Sequence, residues 1–257
     1  MLKYFILFFV VFTVKSIANE MKPIISITEF CPFMCTKSNK QGFAVDIVDK
    51  VFKNSGLEVS FEASPWARAV KNASSGVISG ILAPGKDEAP LLMYPSEPIA
   101  LQQNCFFQNH TSSWRYVDKS SLTNKKIIVF TSWAHAKDLK QDIGEDEYTN
   151  IFTEYSYDGN YYQKAINMVN KGRADAFWAD PSVIKYLKLE GKVGNAGCIS
   201  SHYLYVGFSP IDKAFSQKLI EIFDNGFKQL KRTGEYESIL EHYNLTSALE
   251  SPEIDYH

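Results

Sequence analysis

The chain has 257 residues, 45% of them hydrophobic, enough for one large domain or for two lobes with separate cores. Its formal net charge is −2, and −4 once Lys3 and Lys15 are removed with a leader, so it offers no basic patch to nucleic acid or to an anionic membrane surface. No low-complexity segment or short-period repeat is present.

The first stretch, "MLKYFILFFVVFTVKSIANE", places Lys3 before an apolar run from Tyr4 to Val14 and small residues at Ser16 and Ala18. This is the pattern of a secretory signal peptide over residues 1–18, cut after Ala18; the run is short of the roughly 20 residues a membrane span needs. An exported chain is expected, and export permits disulfides. Cys31 and Cys35 bracket the turn "CPFMC", while Cys105 and Cys198 sit in separate apolar segments. Four cysteines allow three pairings; Cys31–Cys35 with Cys105–Cys198 is the expected one, and a metal at the first pair is the rival. The five histidines are scattered singly, and neither metal nor cofactor is expected.

"KPIISITEF" reads as a buried strand and "GFAVDIVDKVFKNSG" as a helix with Val45, Val48 and Phe52 on one face and Gly56 at its stop. "LEVSFEAS" alternates as a strand, with Leu57, Val59 and Phe61 inward. A helix enters at Pro65-Trp66, and "GVISGILAP" is another buried strand. Strand and helix in alternation predict parallel βαβ units.

"EPIALQQNCFFQN" is an extended segment, followed by a loop to Trp114. From "NKKIIVFTSWAHAKDLKQ" the alternation restarts: a strand at Ile127–Phe130, the turn "TSW", and a helix from about Ala134. Then come a strand at "NIFTEYS", a helix at "NYYQKAINMVNKG", a strand at "ADAFWAD" and a helix at "PSVIKYLKLEG". The strand "HYLYVGFSP" precedes a long helix with Leu219, Ile222, Phe223, Phe227 and Leu230 on one face and Gly234 at the stop, and "EYESILEHYN" closes the chain. Two α/β lobes joined by two crossings place a ligand crevice at the C-terminal ends of their strands.

The ordered segments "GFAVDIVDKVF", "PWARAV", "GVISGIL", "PSEPI", "GRADAFWADPSVIKYL", "LYVGFSP" and "FKQLKRTGEYESILEHY" resemble the family 3 extracellular solute-binding proteins, from about Pro23 to Tyr243. The resemblance implies a two-lobe type II periplasmic-binding fold with two hinge crossings. The first lobe would be residues 19–106 plus 207–257 and the second 107–206. It implies a periplasmic receptor, monomeric and not an enzyme, that closes on a small polar solute and serves the membrane permease of an ABC importer or a membrane-bound sensor.

Carried over by position, the resemblance makes Asp180 the carboxylate that holds the ligand's amino group; the same residue before Pro181 also suits a helix N-cap. Trp66 becomes an aromatic wall of the cleft, against the alternative of a core anchor, and Phe30 a second aromatic, against packing over the Cys31–Cys35 turn. Arg68 points either to the cleft or to a surface partner. Thr131, Ser132 and Trp133 match a turn whose N–H groups and hydroxyls bind a carboxylate at a helix N-terminus, and they serve equally as an N-cap.

One departure stands out. Where the family carries an Arg that forks onto an α-carboxylate, this chain has Ala89 within "APGKDEAPLLMYPSEP". Neither Lys86 nor its acidic neighbours offer bidentate geometry, and losing that fork costs an α-amino-acid site about 2–5 kcal/mol. Either Arg68 replaces it or the ligand is not a standard amino acid, and an amine-bearing solute is expected. An enzyme on the same fold, a dehydratase or hydrolase, is the rival class; its only support is Ser132 three residues ahead of His135. A structural or adhesive role has no repeat or patch behind it.

Overall fold

The computed structural model describes residues 22–131, 136–156 and 160–249. The expected leader, Ser132, Trp133 and His135 lie outside the described residues. Two separate sheets form, each with its own apolar core.

The first sheet begins with β1 (Ile24–Ile27), α1 (Phe43–Asn54), β2 (Ser60–Ala63), α2 (Trp66–Ser74) and β3 (Gly80–Leu82). β1 lies between β2 and β3, parallel to both. In α1 the apolar residues Val45, Val48, Val51 and Phe52 recur at helical spacing, so one face buries completely against the sheet. β3 is shorter than "GVISGILAP" led one to expect.

The chain then leaves along β4 (Ala100–Asn109) into the second sheet, made with β5 (Ile127–Phe130), β6 (Phe152–Tyr155), β7 (Ala176–Ala179) and β8 (Val193–Leu204) in the order β6-β5-β7-β4-β8. β5, β6 and β7 run parallel; β4 is antiparallel to β7 and β8. The helices here are α3 (Ala136–Ile143), α4 (Glu145–Ile151), α5 (Tyr161–Asn170) and α6 (Pro181–Tyr186). α4 was not expected from the sequence: Gly144, at φ 87°, ends α3, and three acidic residues then open a new helix at its positive end.

The chain returns through β9 (Val206–Phe208), antiparallel to β3, and ends in α7 (Lys213–Thr233) and α8 (Glu235–His242). Asp212 caps α7 by accepting the Phe215 N–H at 3.0 Å, and Gly234, at φ 77°, stops it in a left-handed turn that a β-carbon would strain. The face of α7 that buries carries Leu219, Ile220, Phe223, Phe227 and Leu230; Ile222 is only half-buried at its edge.

β4 and β8 pair over their whole length, from Ala100 opposite Leu204 to Asn109 opposite Val193. Ala100 and Leu204 belong to the first core, Cys105 and Ala196 to the second, so these two strands carry the chain between lobes. The cysteines pair Cys31–Cys35 and Cys105–Cys198, and the second pair bridges directly opposed residues of β4 and β8.

Candidate functional site

The cleft side of the first lobe is built from segments that follow the C-terminal ends of its strands. After β1 the chain turns back on itself: Phe30 and Met34 exchange both backbone hydrogen bonds, at 2.8 and 2.9 Å, next to the Cys31–Cys35 disulfide. Glu29 holds the far side of this turn by accepting the N–H of Thr36 at 2.7 Å and its hydroxyl. Phe30 stacks on buried Phe33, with centroids 4.7 Å apart and planes within 2°, so packing over the disulfide turn is real. Phe30 also packs against the cores of both lobes, which places it where they meet.

Trp66 opens α2 half-buried, against a small third cluster of Ala69, Ala73, Ile81, Ala89 and Leu92, with Val70, Ile78 and Tyr94 around it. Ala89 is 2% exposed within that cluster and forms part of an apolar floor. Arg68 is exposed on α2.

On the second lobe, Asp180 follows β7 and is 1% exposed. One carboxylate oxygen accepts the N–H of Ser182 at 2.7 Å, capping α6, and the other accepts the N–H of Gln103 in β4 at 2.8 Å. The N-cap role is thus present, and the same side chain ties α6 to a strand that joins the lobes. Burial pushes its pKa up to about 6, against the opposing pull of those N–H donors. Beside it the Trp178 indole donates to Asn104 Oδ1 at 2.8 Å, and the Asn104 amide donates to Ser200 Oγ at 3.2 Å, so the strands near Asp180 are cross-linked by buried polar bonds. Thr131 is exposed at the end of β5, and its N–H donates to the Tyr155 carbonyl at 2.8 Å, which removes that amide from any carboxylate-binding set.

The structure gathers these residues into two groups. Trp66, Ala89 and Tyr94 sit together on the first lobe, and Asp180 with Gln103 on the second; Phe30 lies between the cores. A cavity of about 460 Å³ also opens between the lobes, with Glu29, Cys31 and Lys37 on one side and Tyr162, Tyr186 and Lys192 on the other. Tyr186, from α6, packs onto Tyr243 of the first lobe with centroids 6.2 Å apart. Sequence reasoning missed Tyr94 and Tyr205, whose rings meet edge-on at 5.7 Å beside Lys86. The available signal was the tyrosine two residues ahead of the "SEP" segment and the one at the return crossing.

Two α/β lobes joined by two strands define a type II periplasmic-binding-protein fold. The chain belongs to the bacterial extracellular solute-binding proteins of family 3, whose family model matches residues 24–246. Solved structures agree. A mutant of the arginine-binding protein ArgBP from T. maritima is 16% identical, with 88% of this chain and 96% of that chain covered and a TM-score of 0.64. The arginine-, lysine-, histidine-binding protein ArtJ from Geobacillus stearothermophilus is 18% identical, with 86% and 94% covered and a TM-score of 0.63. A histidine kinase sensor domain is 15% identical, with 90% and 98% covered and a TM-score of 0.64. No curated protein matches the sequence. Among the described residues no helix is long and apolar enough to cross a membrane, and no group of histidine, cysteine and acidic residues is arranged to hold a metal ion.

Proposed function

We propose that this protein is a periplasmic receptor that captures a small polar, amine-bearing solute between its lobes and delivers it to an ABC importer. The boundary between the lobes falls within β4 and β8, where Ala100 and Leu204 join the first core and Cys105 and Ala196 the second. The observation that carries the reading is Asp180: a carboxylate held by two backbone N–H groups, beside the strand that connects the lobes. Each of its oxygens keeps a second lone pair, and a ligand ammonium placed there gains a charge-assisted bond in a site poor in water. Trp66 and Phe30 supply aromatic walls for the same solute, and Arg68, the Thr131 hydroxyl, Ser132 and Trp133 complete the candidate set. A ligand that touches both lobes favours the closed arrangement by its differential affinity for it, which is the signal a permease reads.

Delivery to a membrane sensor is the second reading, supported by the likeness to the histidine kinase sensor domain. Binding is favoured over catalysis by membership of a family of solute-binding proteins.

A thermal-shift screen of the mature protein against amino acids, polyamines and small organic acids tests the receptor role. A ligand at 100 times its Kd adds about 2.7 kcal/mol to stability, a clear rise in Tm. If no amine-bearing compound raises Tm at millimolar concentration, the proposed ligand class is wrong.

A further inference from the structure

The loop from Pro84 to Ala89 carries Lys86, whose positive charge rests on two aromatic rings. The Lys86 ammonium lies 4.3 Å from the Tyr205 ring centroid and 5.8 Å from that of Tyr94. Tyr94 is pinned by its hydroxyl, which donates to the Ala89 carbonyl at 2.7 Å. Tyr205 is pinned by its backbone, which exchanges hydrogen bonds with Ala83 and Pro84 at 2.8 and 3.0 Å. Both tyrosines are half-buried.

Two carboxylates fold over the same loop. Glu88 accepts the Gly85 N–H at 2.8 Å, and a β-carbon on Gly85 would lie 2.6 Å from Asp87 Oδ1, 3.4 Å from Glu88 Oε2 and 3.3 Å from the His202 ring. Glycine is therefore what lets these groups converge. His202 Nε2 is buried and has no hydrogen-bond partner among the described residues. Among those residues, no carboxylate comes within ion-pair reach of Lys86. The charge is held by aromatic faces.

We infer that the Tyr94 and Tyr205 rings form a cation subsite for an alkylammonium group, with Asp87 and Glu88 on the loop beside it, and that Lys86 is its built-in occupant, displaced when a ligand's ammonium enters. Two aromatic faces attract an ammonium by their quadrupoles, and two nearby carboxylates add a negative field. The tethered Lys86 competes with any cation that arrives and discriminates against weak ones. The inference rests on the amine-binding reading above and adds to it a place and a competitor.

Tetramethylammonium chloride is the probe, with sodium chloride at equal concentration as control and full-length mature protein labelled with ¹³C-lysine. The Lys86 signal is assigned by its loss in Lys86→Arg. We expect its ε-methylene protons to be shifted upfield by the rings, and to return to the solvent position with tetramethylammonium but not with sodium. Lys86→Met removes the competitor and tightens the probe about two- to fivefold. Tyr205→Leu weakens it, while Tyr205→Phe, which keeps the ring, binds as the parent does. An unshifted Lys86, no displacement by the probe, or a Lys86→Met variant that binds no tighter overturns the inference. If amines raise Tm while the probe leaves Lys86 in place, the subsite is wrong and the receptor reading stands. If the probe displaces Lys86 while no amine raises Tm, the reverse holds.

Discussion

The two lobes hold their charged groups in opposite ways. On the second lobe Asp180 is buried, and each of its oxygens is already held by a backbone N–H. On the first lobe Trp66, Tyr94 and Tyr205 are half-buried, and Lys86, Asp87 and Glu88 stand exposed on a loop. A buried carboxylate without donors would cost several kcal/mol, so the second lobe must fix its charge before any ligand arrives. Exposed groups carry no such penalty, so the loop side chains Lys86, Asp87 and Glu88 can rearrange around a solute while the Tyr94 and Tyr205 rings stay pinned. Preorganisation lies on one lobe and adaptability on the other.

The largest test of this contrast is covalent. Cys105 and Cys198 are 93 residues apart in sequence and clamp β4 to β8, whereas Cys31 and Cys35 close a turn that Phe30, Met34, Glu29 and Thr36 already hold. Replacing Cys105 and Cys198 by serine is expected to lower unfolding stability in urea by about 2–4 kcal/mol. The Cys31/Cys35 double replacement should cost less, because a short loop loses little chain entropy on closure. The reverse order would mean that the turn, and not the strand pair, is the rigid element.

Asp180 gives the next effect. Its folded pKa, about 6, lies above the ordinary 3.8, so the folded state binds the proton more tightly than the unfolded one. Its contribution to stability therefore rises as pH falls from about 6 toward 4, by up to about 3 kcal/mol, and is absent above that window. The stability of parent minus Asp180→Asn, measured from pH 7.5 to 4, isolates this slope; a flat difference would show that the carboxylate is not desolvated. The anionic form is the one that binds an ammonium, so affinity for an amine should fall as pH drops below 6.

For ligand affinity, Trp66→Ala and Asp180→Asn are each expected to weaken binding at least tenfold, about 1.4 kcal/mol, in titration calorimetry with a compound found by the thermal-shift screen. Asn is a good N-cap, so the second variant keeps α6. A variant that binds like the parent marks its residue as structural. Parent-like binding by both would dissolve the contrast between lobes.

The smallest effect concerns the seam between the lobes. The Tyr243 hydroxyl donates to Asp46 at 2.7 Å and accepts the Gly42 N–H at 3.0 Å. Tyr243→Phe keeps the ring against Tyr186 and removes both bonds, and should cost about 0.5–1.5 kcal/mol of stability. If solute affinity changes as well, the Tyr186–Tyr243 contact takes part in closure.

Much of the fold was legible because its signals are local. α1 and α7 announce themselves by apolar residues at helical spacing and α7 by its stop at Gly234, whereas its cap at Asp212 was not read from the sequence. The Asp-Pro pair before α6 announces a helix start, and the structure realises it. The first half of β8 was not legible: Gly194, Asn195 and Gly197 have poor strand propensity, and they are extended because β4 lies alongside them. The brief β3 shows the same dependence, since only residues with partners in β1 and β9 count as strand.

The sequence by itself determined the family, the alternation of strands and helices, and the presence of an acidic N-cap at residue 180, because each rests on residues a few positions apart. Only the tertiary structure decided that Gln103 would give its N–H to Asp180 from 77 residues away, that Ala89 would join Trp66 in one apolar cluster, and that Lys86 would rest on Tyr205. Those partners are distant in the chain, and no local preference specifies a contact that exists only once two sheets and the strands between them have packed.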